Sequence, residues 1–574
     1  MNSRSPLLMI IGIFILLIVV ANMMYLPSIV TNADGDFSDG GKVIDFAQSN
    51  NELSYNDRHR PSKKTSSNSN RLRGKEESYT SLIAGLNCDK YGGPDERVAA
   101  EMVYWRDIPT DSHFASPYDK YGESPKYLTF EPDEGGWNNI RMSMETATAL
   151  AHAMGRILVL PFEQKMYLLG QDDKKENNRF TFKKFFPFDA ISEEHKAVEV
   201  ITMEQFLDRE VMTGNIKSRG KAVFPPQNRT NWEGHIRDGK EFWHWLRNVT
   251  LASTWDFSQC SGVFPKVPGK EAADDMQKLY ETMDMNEQSH ETFKRYINNP
   301  TPVDAPATDR LREMLSFRKK ICLYNDRMQK AKVMHFMGDN NSGARLLVHF
   351  YAFLFFEDWE QDLWTKRYVR DHLRYIDEIQ CAAAKIVDAV RSRARENGDP
   401  DGIYDSMHVR RGDFQYKQTR ISAEQIYENI RDVFVENSTV FIATDERDKA
   451  FFDPLRQHYK VLFLDEFLHL VPNLNKNYYG MLDQRIASRG RTFSGAYFST
   501  FTGYINRMRG YHSQKDKLPG HETGKIRSYF YVEKQHMEEM SNYHSLKGPL
   551  WAREFPVSWR DIDRNLDDSH IHSR

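Results

Sequence analysis

"SMHVRRGDF", residues 406–414, decides how this chain is read. A short apolar segment, 403–409, runs directly into Arg410, Arg411 and Asp413. If that segment is a buried parallel strand, His408 and Arg410 stand at its carboxyl end, where open α/β sheets take their ligands. Alternation along a strand puts His408 and Arg410 on one face and Arg411 on the other. A guanidinium suits a diphosphate because its planar fork gives two parallel charge-assisted hydrogen bonds. The competing reading pairs both arginines with carboxylates such as Asp413. Arg411-Gly412-Asp413 also spells an adhesion tripeptide, but that use needs an exposed loop tip rather than the end of a buried strand.

Outward from this stretch, helices alternate with short apolar runs. "TVFIAT" (439–444) and "KVLFLD" (460–465) read as strands, 493–498 as the last strand, and 362–396 as a long helical region. Buried strands separated by helices imply a mostly parallel sheet. "KVMHFMGD", from 332, reads as the strand that opens this second half. The first half has the same grammar in "GGWNNIRMSMETATALAHAMGRILVLP" (135–161): a glycine loop, a helix to Met154 stopped by Gly155, then a buried strand ended by Pro161. The segment 165–330 is charged, aromatic and irregular, and suits an acceptor-facing surface. The expected fold is therefore α/β, with two Rossmann-like domains facing a cleft.

Other residues in these halves could carry chemistry. Ser499 and Thr500 open a helix just after a strand, and the amides of a helix start attract anions; ordinary capping is the alternative. Gly135 and Gly136 let backbone approach a ligand, and Asn138 and Asn139 offer donors and acceptors before a helix. Asp133 or Glu134 is placed for a general base, although a solvated turn carboxylate is the plainer reading of each. Asp445, just past a strand, could accept hydrogen bonds from a purine, or simply cap a turn. No Asp-x-Asp follows an apolar strand, so no metal site is expected.

The chain has 574 residues, enough for more than one domain. Its net charge of -3 and lack of a basic block argue against a nucleic-acid partner. Residues 7–26, "LLMIIGIFILLIVVANMMYL", would span about 30 Å as a helix, enough for a bilayer core. Arg4 precedes them, and no lysine or arginine follows until Lys42. That asymmetry holds the tail 1–6 in the cytosol and sends the rest across. A cleaved signal peptide competes, but the run is long and lacks a clear small-residue cleavage site. Residues 27–85 are polar and Ser/Asn/Lys-rich, a flexible stem. Sequons at Asn228, Asn248, Asn340 and Asn437 fit a lumenal body. The four cysteines, Cys88, Cys260, Cys322 and Cys381, are too scattered for zinc and allow three full disulfide pairings.

Taken in order, "GGWNNIR", "HVRRGDF", "FIATDE" and "FSTFTGYINR" resemble the GDP-fucose protein O-fucosyltransferase family over residues 86–515. "CDKYGGP" (88–94), "MVYWRDIPTD" (102–111) and "YLTFEPDEGGWNNIRM" (127–142) are similar to its branch in fungi and other microbial eukaryotes. The resemblance implies a GT-B fold and an inverting, metal-independent transfer of fucose from GDP-fucose to a protein or glycan hydroxyl. It implies an acceptor-side domain at 86–332, a nucleotide-sugar domain at 333–515 and a C-terminal extension at 516–574. Arg410 matches the family arginine on the β-phosphate, with His408 near the nucleotide and Asn138 in the glycine loop. Asp445 matches the acid near guanine, and Ser499, Thr500 and Phe501 surround the diphosphate. Gly135 stands where one animal branch carries a catalytic glutamate, leaving Glu134, one residue away, as the candidate base. The expected location is the Golgi or ER membrane, with 7–26 as the anchor. The rival readings are a rhamnosyl or other nucleotide-sugar transferase of the same fold, and a non-catalytic Golgi scaffold.

Overall fold

The computed structural model describes residues 85–566, apart from 107, 123–124, 134, 167–168, 170–178, 196–197, 233–235, 284–298, 317, 319, 339–344, 413–415, 533–553 and 555. The expected anchor (7–26) and stem up to residue 84 lie outside the described residues, as do Glu134, Asp413 and the sequon at Asn340. Among the described residues no helix is long and apolar enough to cross a membrane.

Along the chain the principal strands are β1 (Tyr127–Phe130), β2 (Ile157–Leu160), β3 (Val200–Thr202), β4 (Leu251–Ala252), β5 (Cys260–Phe264), β6 (Lys320–Leu323) and β7 (Val333–Phe336). They continue as β8 (Leu354–Phe356), β9 (Tyr404–Val409), β10 (Thr439–Thr444), β11 (Lys460–Leu462), β12 (Phe493–Gly495) and β13 (Ser528–Phe530). The helices that position the site are α1 (Trp137–Met154), α2 (Ile236–Val249), α3 (Trp359–His372), α4 (Asp377–Glu396), α5 (Tyr479–Ala487) and α6 (Thr500–Asp516).

Three parallel sheets form the body. The first is ordered β3-β2-β1-β7-β4 and the last β11-β10-β9-β12-β13. A third sheet, β6-β5-β8, takes β5 and β6 from the stretch 165–330 expected to be irregular and β8 from beyond it. β9 is buried along its whole length, as a strand covered on both faces must be. Its one acidic residue, Asp405, is neutralised where it sits: Arg491 donates two hydrogen bonds to it, at 3.1 and 2.6 Å, and the Thr492 amide a third.

Four sequence expectations change here. From sequence β7 is expected to open the second half, yet it pairs with β1 and β4 inside the first sheet. The region 362–396 is two helices, α3 and α4, separated at residues 373–376. The strand expected at 493–498 stops at Gly495, because the chain turns at Tyr497 and Phe498. It is also not the last strand: β13, within the stretch expected as a C-terminal extension, forms the sheet edge beside it.

The disulfides settle the open pairing as Cys88–Cys381 and Cys260–Cys322. The first ties the start of the described chain to α4, and the second joins neighbouring strands β5 and β6.

Candidate active site

Because every pairing in the last sheet is parallel, the residues that follow β9, β10 and β12 emerge on one edge. His408, the penultimate residue of β9, is buried. Its Nδ1 lies 2.7 Å from the Thr502 hydroxyl, and its ring stacks on Phe501 at 4.4 Å. Burial, reinforced by the adjacent Arg410 cation, lowers its pKa to about 3. His408 is therefore neutral, and it shapes the wall of the site rather than charging it.

Arg410 and Asp445 meet directly, with Nη1 2.9 Å from Oδ2. The same carboxylate accepts the Arg411 amide at 2.7 Å and the Gly412 amide at 3.0 Å. The structure thus places Asp445 as a clamp on the loop after β9, holding Arg410 in position; its expected role as a purine acceptor conflicts with this occupancy. Gly412 is required by the same contact, since a Cβ there would lie 2.5 Å from Asp445 Oδ2. Arg411 turns the other way, as alternation predicted. Its Nε donates to Glu446 and its Nη1 to the Ile421 carbonyl, and the guanidinium lies 3.7 Å over the Phe451 ring. So engaged, Arg411 cannot present an adhesion tripeptide.

The glycine loop approaches from the first sheet. Asp133, just after β1, accepts the Gly135 amide at 2.7 Å and is gripped by two nitrogens of Arg345. With both oxygens engaged, Asp133 is a loop-shaping group rather than a general base. A Cβ at Gly135 would lie 2.7 Å from both Asn139 Nδ2 and Asp133 Oδ1, so the loop tolerates no side chain there. Asn139 then accepts a hydrogen bond from the Thr500 hydroxyl at 3.1 Å. That contact brings the glycine-loop motif and the Ser499-Thr500-Phe501 motif together at the start of α6. Ser499 is its N-cap residue, buried and with no side-chain capping bond. Gly136, which precedes α1, has open space on its Cβ side.

Asn138 does not join this meeting point. It is buried, and its carbonyl oxygen accepts from Gln484 of α5 at 2.8 Å, in a network that continues to Tyr375 and Trp137. Glu134 lies outside the described residues.

Two carboxylates went unnoticed in the sequence. Asp483, on α5, has a buried Oδ1 with no hydrogen-bond partner. Burial, and then the nearby Asp465, push its pKa well above the ordinary carboxylate range. Asp465 and Lys449, its charged neighbours, follow β11 and β10, so Asp483 stands at the same sheet edge as Arg410. Mid-helix and without a flanking motif, it carried no signal. Glu131, just after β1, receives Arg247 at 2.6 and 2.5 Å, His335 Nε2 at 3.0 Å and the Gly338 amide at 3.1 Å. Burial alone would raise its pKa, but bonds from His335 and Arg247 pull it down to about 2. A carboxylate that acidic makes a poor base. Among the described residues no group of three His, Cys, Asp or Glu is placed to hold a metal ion.

Residues 127–512 match the family model of GDP-fucose protein O-fucosyltransferases, more than half of the chain. No curated protein sequence matches. Among solved structures the chain is similar to POFUT1 in complex with GDP-fucose, at 14% identity and a TM-score of 0.33, covering 72% of this chain and 99% of that one. It is also similar to NodZ α-1,6-fucosyltransferase co-crystallised with GDP, at 13% identity and a TM-score of 0.31, covering 67% and 93%. For the fucosyltransferase NodZ from Bradyrhizobium the values are 14% identity, a TM-score of 0.30, and coverage of 67% and 94%. By its family match, this chain belongs to the GDP-fucose protein O-fucosyltransferase family and is a glycosyltransferase.

Proposed function

We propose that the chain transfers fucose from GDP-fucose to a hydroxyl of a protein or glycan, with inversion and without a metal, in a GT-B-like arrangement. The observation that carries this reading is the meeting of the glycine loop with the start of α6 through Asn139 and Thr500, beside a strand that ends in Arg410.

In this reading the diphosphate lies against the α6 amides and Arg410. The acceptor oxygen attacks C1 from the face opposite the leaving group, forming the new glycosidic bond. The C1–O electron pair departs onto the β-phosphate oxygen, and the acceptor proton goes to a base or to solvent. Arg410 and the helix start are fixed positive charge where negative charge develops, and they need no rearrangement as it forms. Asp445 orients Arg410, His408 supports Phe501, and Asp483 supplies the carboxylate for the guanine N1–H and N2–H groups. Glu134 remains the proposed base, since Asp133 is engaged by Arg345.

The body acts in the Golgi or ER lumen, anchored through residues 7–26. Two disulfides joining all four cysteines support an oxidising compartment. Arg410→Ala should lower kcat by about two to three orders of magnitude, the scale of removing one preorganised charge stabiliser, with an unchanged circular dichroism spectrum. Full activity in a folded Arg410→Ala enzyme would refute the site assignment.

A further inference from the structure

Three successive amides after β9 each meet an acceptor, and the first acceptor comes from a distant part of the chain. Arg411 and Gly412 donate to Asp445, as described. The Arg410 amide donates to the Tyr531 hydroxyl at 3.4 Å. Tyr531 directly follows β13, beyond residue 512 where the family match ends, and none of the steps above uses it. The sheet order puts β12 between β9 and β13, so this contact reaches across two strand spacings, about 10 Å. The way is open because β12 stops at Gly495, whose carbonyl accepts the Tyr531 amide at 3.3 Å.

Tyr531 is held as firmly as any core residue. It is fully buried, in a cluster with Met407 and Val409 of β9, Ile442 of β10 and Ala496. Asn429, in the helix Ala423–Ile430, donates from Nδ2 to the carbonyls of Tyr531 and Val532 at 2.8 and 2.6 Å, which fixes the backbone that carries the ring. Burial pushes the Tyr531 pKa above the ordinary tyrosine value, against the opposing pull of the Arg410 amide. The phenol therefore stays neutral. It accepts the amide without adding a second negative charge beside Arg410, whose guanidinium already meets Asp445.

We propose that Tyr531 is a positioning residue for Arg410, fixing the backbone from which the guanidinium reaches the β-phosphate. The work is divided between two residues. Asp445 holds the guanidinium and the amides of Arg411 and Gly412, while Tyr531 holds the amide of Arg410 itself. Without the hydroxyl that amide loses its acceptor in a part-buried setting. The loop then gains freedom at the residue whose charge must be fixed before the reaction begins. This inference rests on the nucleotide-sugar reading of the same site and adds to it a residue from the C-terminal chain.

The test compares GDP with GMP, which lacks the β-phosphate, by calorimetric titration of the full-length protein. Tyr531→Phe keeps the ring in the core and removes only the hydroxyl, so the melting temperature should stay close to that of the wild type. GDP affinity should fall by about five- to tenfold, the scale of one hydrogen bond, while GMP affinity stays the same. In an Arg410→Ala background the same substitution should leave GDP affinity unaltered. A packing role alone would weaken GMP and GDP alike, and that result would overturn the proposal. So would wild-type GDP affinity in Tyr531→Phe, or an equal loss in the Arg410→Ala background. A wild-type protein that binds GDP no better than GMP would instead refute the diphosphate reading, and the role of Tyr531 with it.

Discussion

Asp445 shows how a residue's place can be legible in sequence while its contacts are not. Its place after a strand was legible, because "FIATDE" ends an apolar run at an acid. Its partners were not, because the amides of Arg411 and Gly412 come from the loop after another strand, 34 and 33 positions earlier in the chain. His408, Arg410, Ser499 and Thr500 could be placed at strand ends for the same reason Asp445 could. Asp483 could not, since a helix carries acids on its surface routinely and sequence does not say which one is buried. The clamp makes a sharp prediction. Gly412→Ala would push a methyl group to within 2.5 Å of the Asp445 carboxylate. The loop must then shift and release Arg410. GDP affinity should fall by about tenfold, the cost of roughly one charged hydrogen bond, while the melting temperature changes little because the loop is half-exposed. Wild-type GDP affinity in this variant would show that Asp445 does not position Arg410.

At the scale of elements, α1 and α6 are the pair that brings the glycine-loop and Ser499-Thr500-Phe501 motifs together. Both are buried on nearly every side, so neither shows the one-faced pattern of a surface helix. A buried charge of one is matched by the other: Arg507 of α6 reaches Glu145 of α1 at 2.6 Å, and also Glu554 at 2.7 Å. The helix and strand types were legible here from composition and from Gly155. The sheet to which β7 belongs was not, because a four-residue buried strand has no marker naming its neighbour. β13 was missed since three residues, "SYF", give no usable period. The contact between Asn139 and Thr500 is the thinnest link between the two helices, and a double-mutant cycle isolates it. Asn139→Ala and Thr500→Val should each weaken GDP-fucose binding. Their coupling energy should be about 1 kcal/mol, as for an ordinary hydrogen bond. Strict additivity would mean that the two motifs do not act as one site.

For the whole molecule, the described residues 556–564 pack into the body rather than standing apart from it. Trp559 is fully buried against Gly510 of α6, and Arg367 of α3 donates to the carbonyls of Ile562 and Arg564. The body also buries neutral histidines. Burial lowers the pKa of His152, His195, His335, His408 and His512. In the unfolded chain these groups bind protons near pH 6.5, and in the folded one they do not, so stability is lost as pH falls through that range. Asp111, Glu313 and Asp483, whose pKa values burial raises, oppose this by shedding their ionised-state cost on acidification. Five histidines outweigh three carboxylates, so the melting temperature should drop between pH 7 and pH 5. A flat or rising melting temperature over that interval would contradict the buried-neutral assignment.

The most direct measurement is a calorimetric titration of the full-length protein with GDP, UDP and GDP-fucose, each with and without a chelator. GDP and GDP-fucose should bind, chelation should change neither, and UDP should bind about a hundredfold more weakly because uracil offers the buried Asp483 one N–H where guanine offers two. Equal binding of UDP, dependence on a metal, or no nucleotide binding at all would contradict the account.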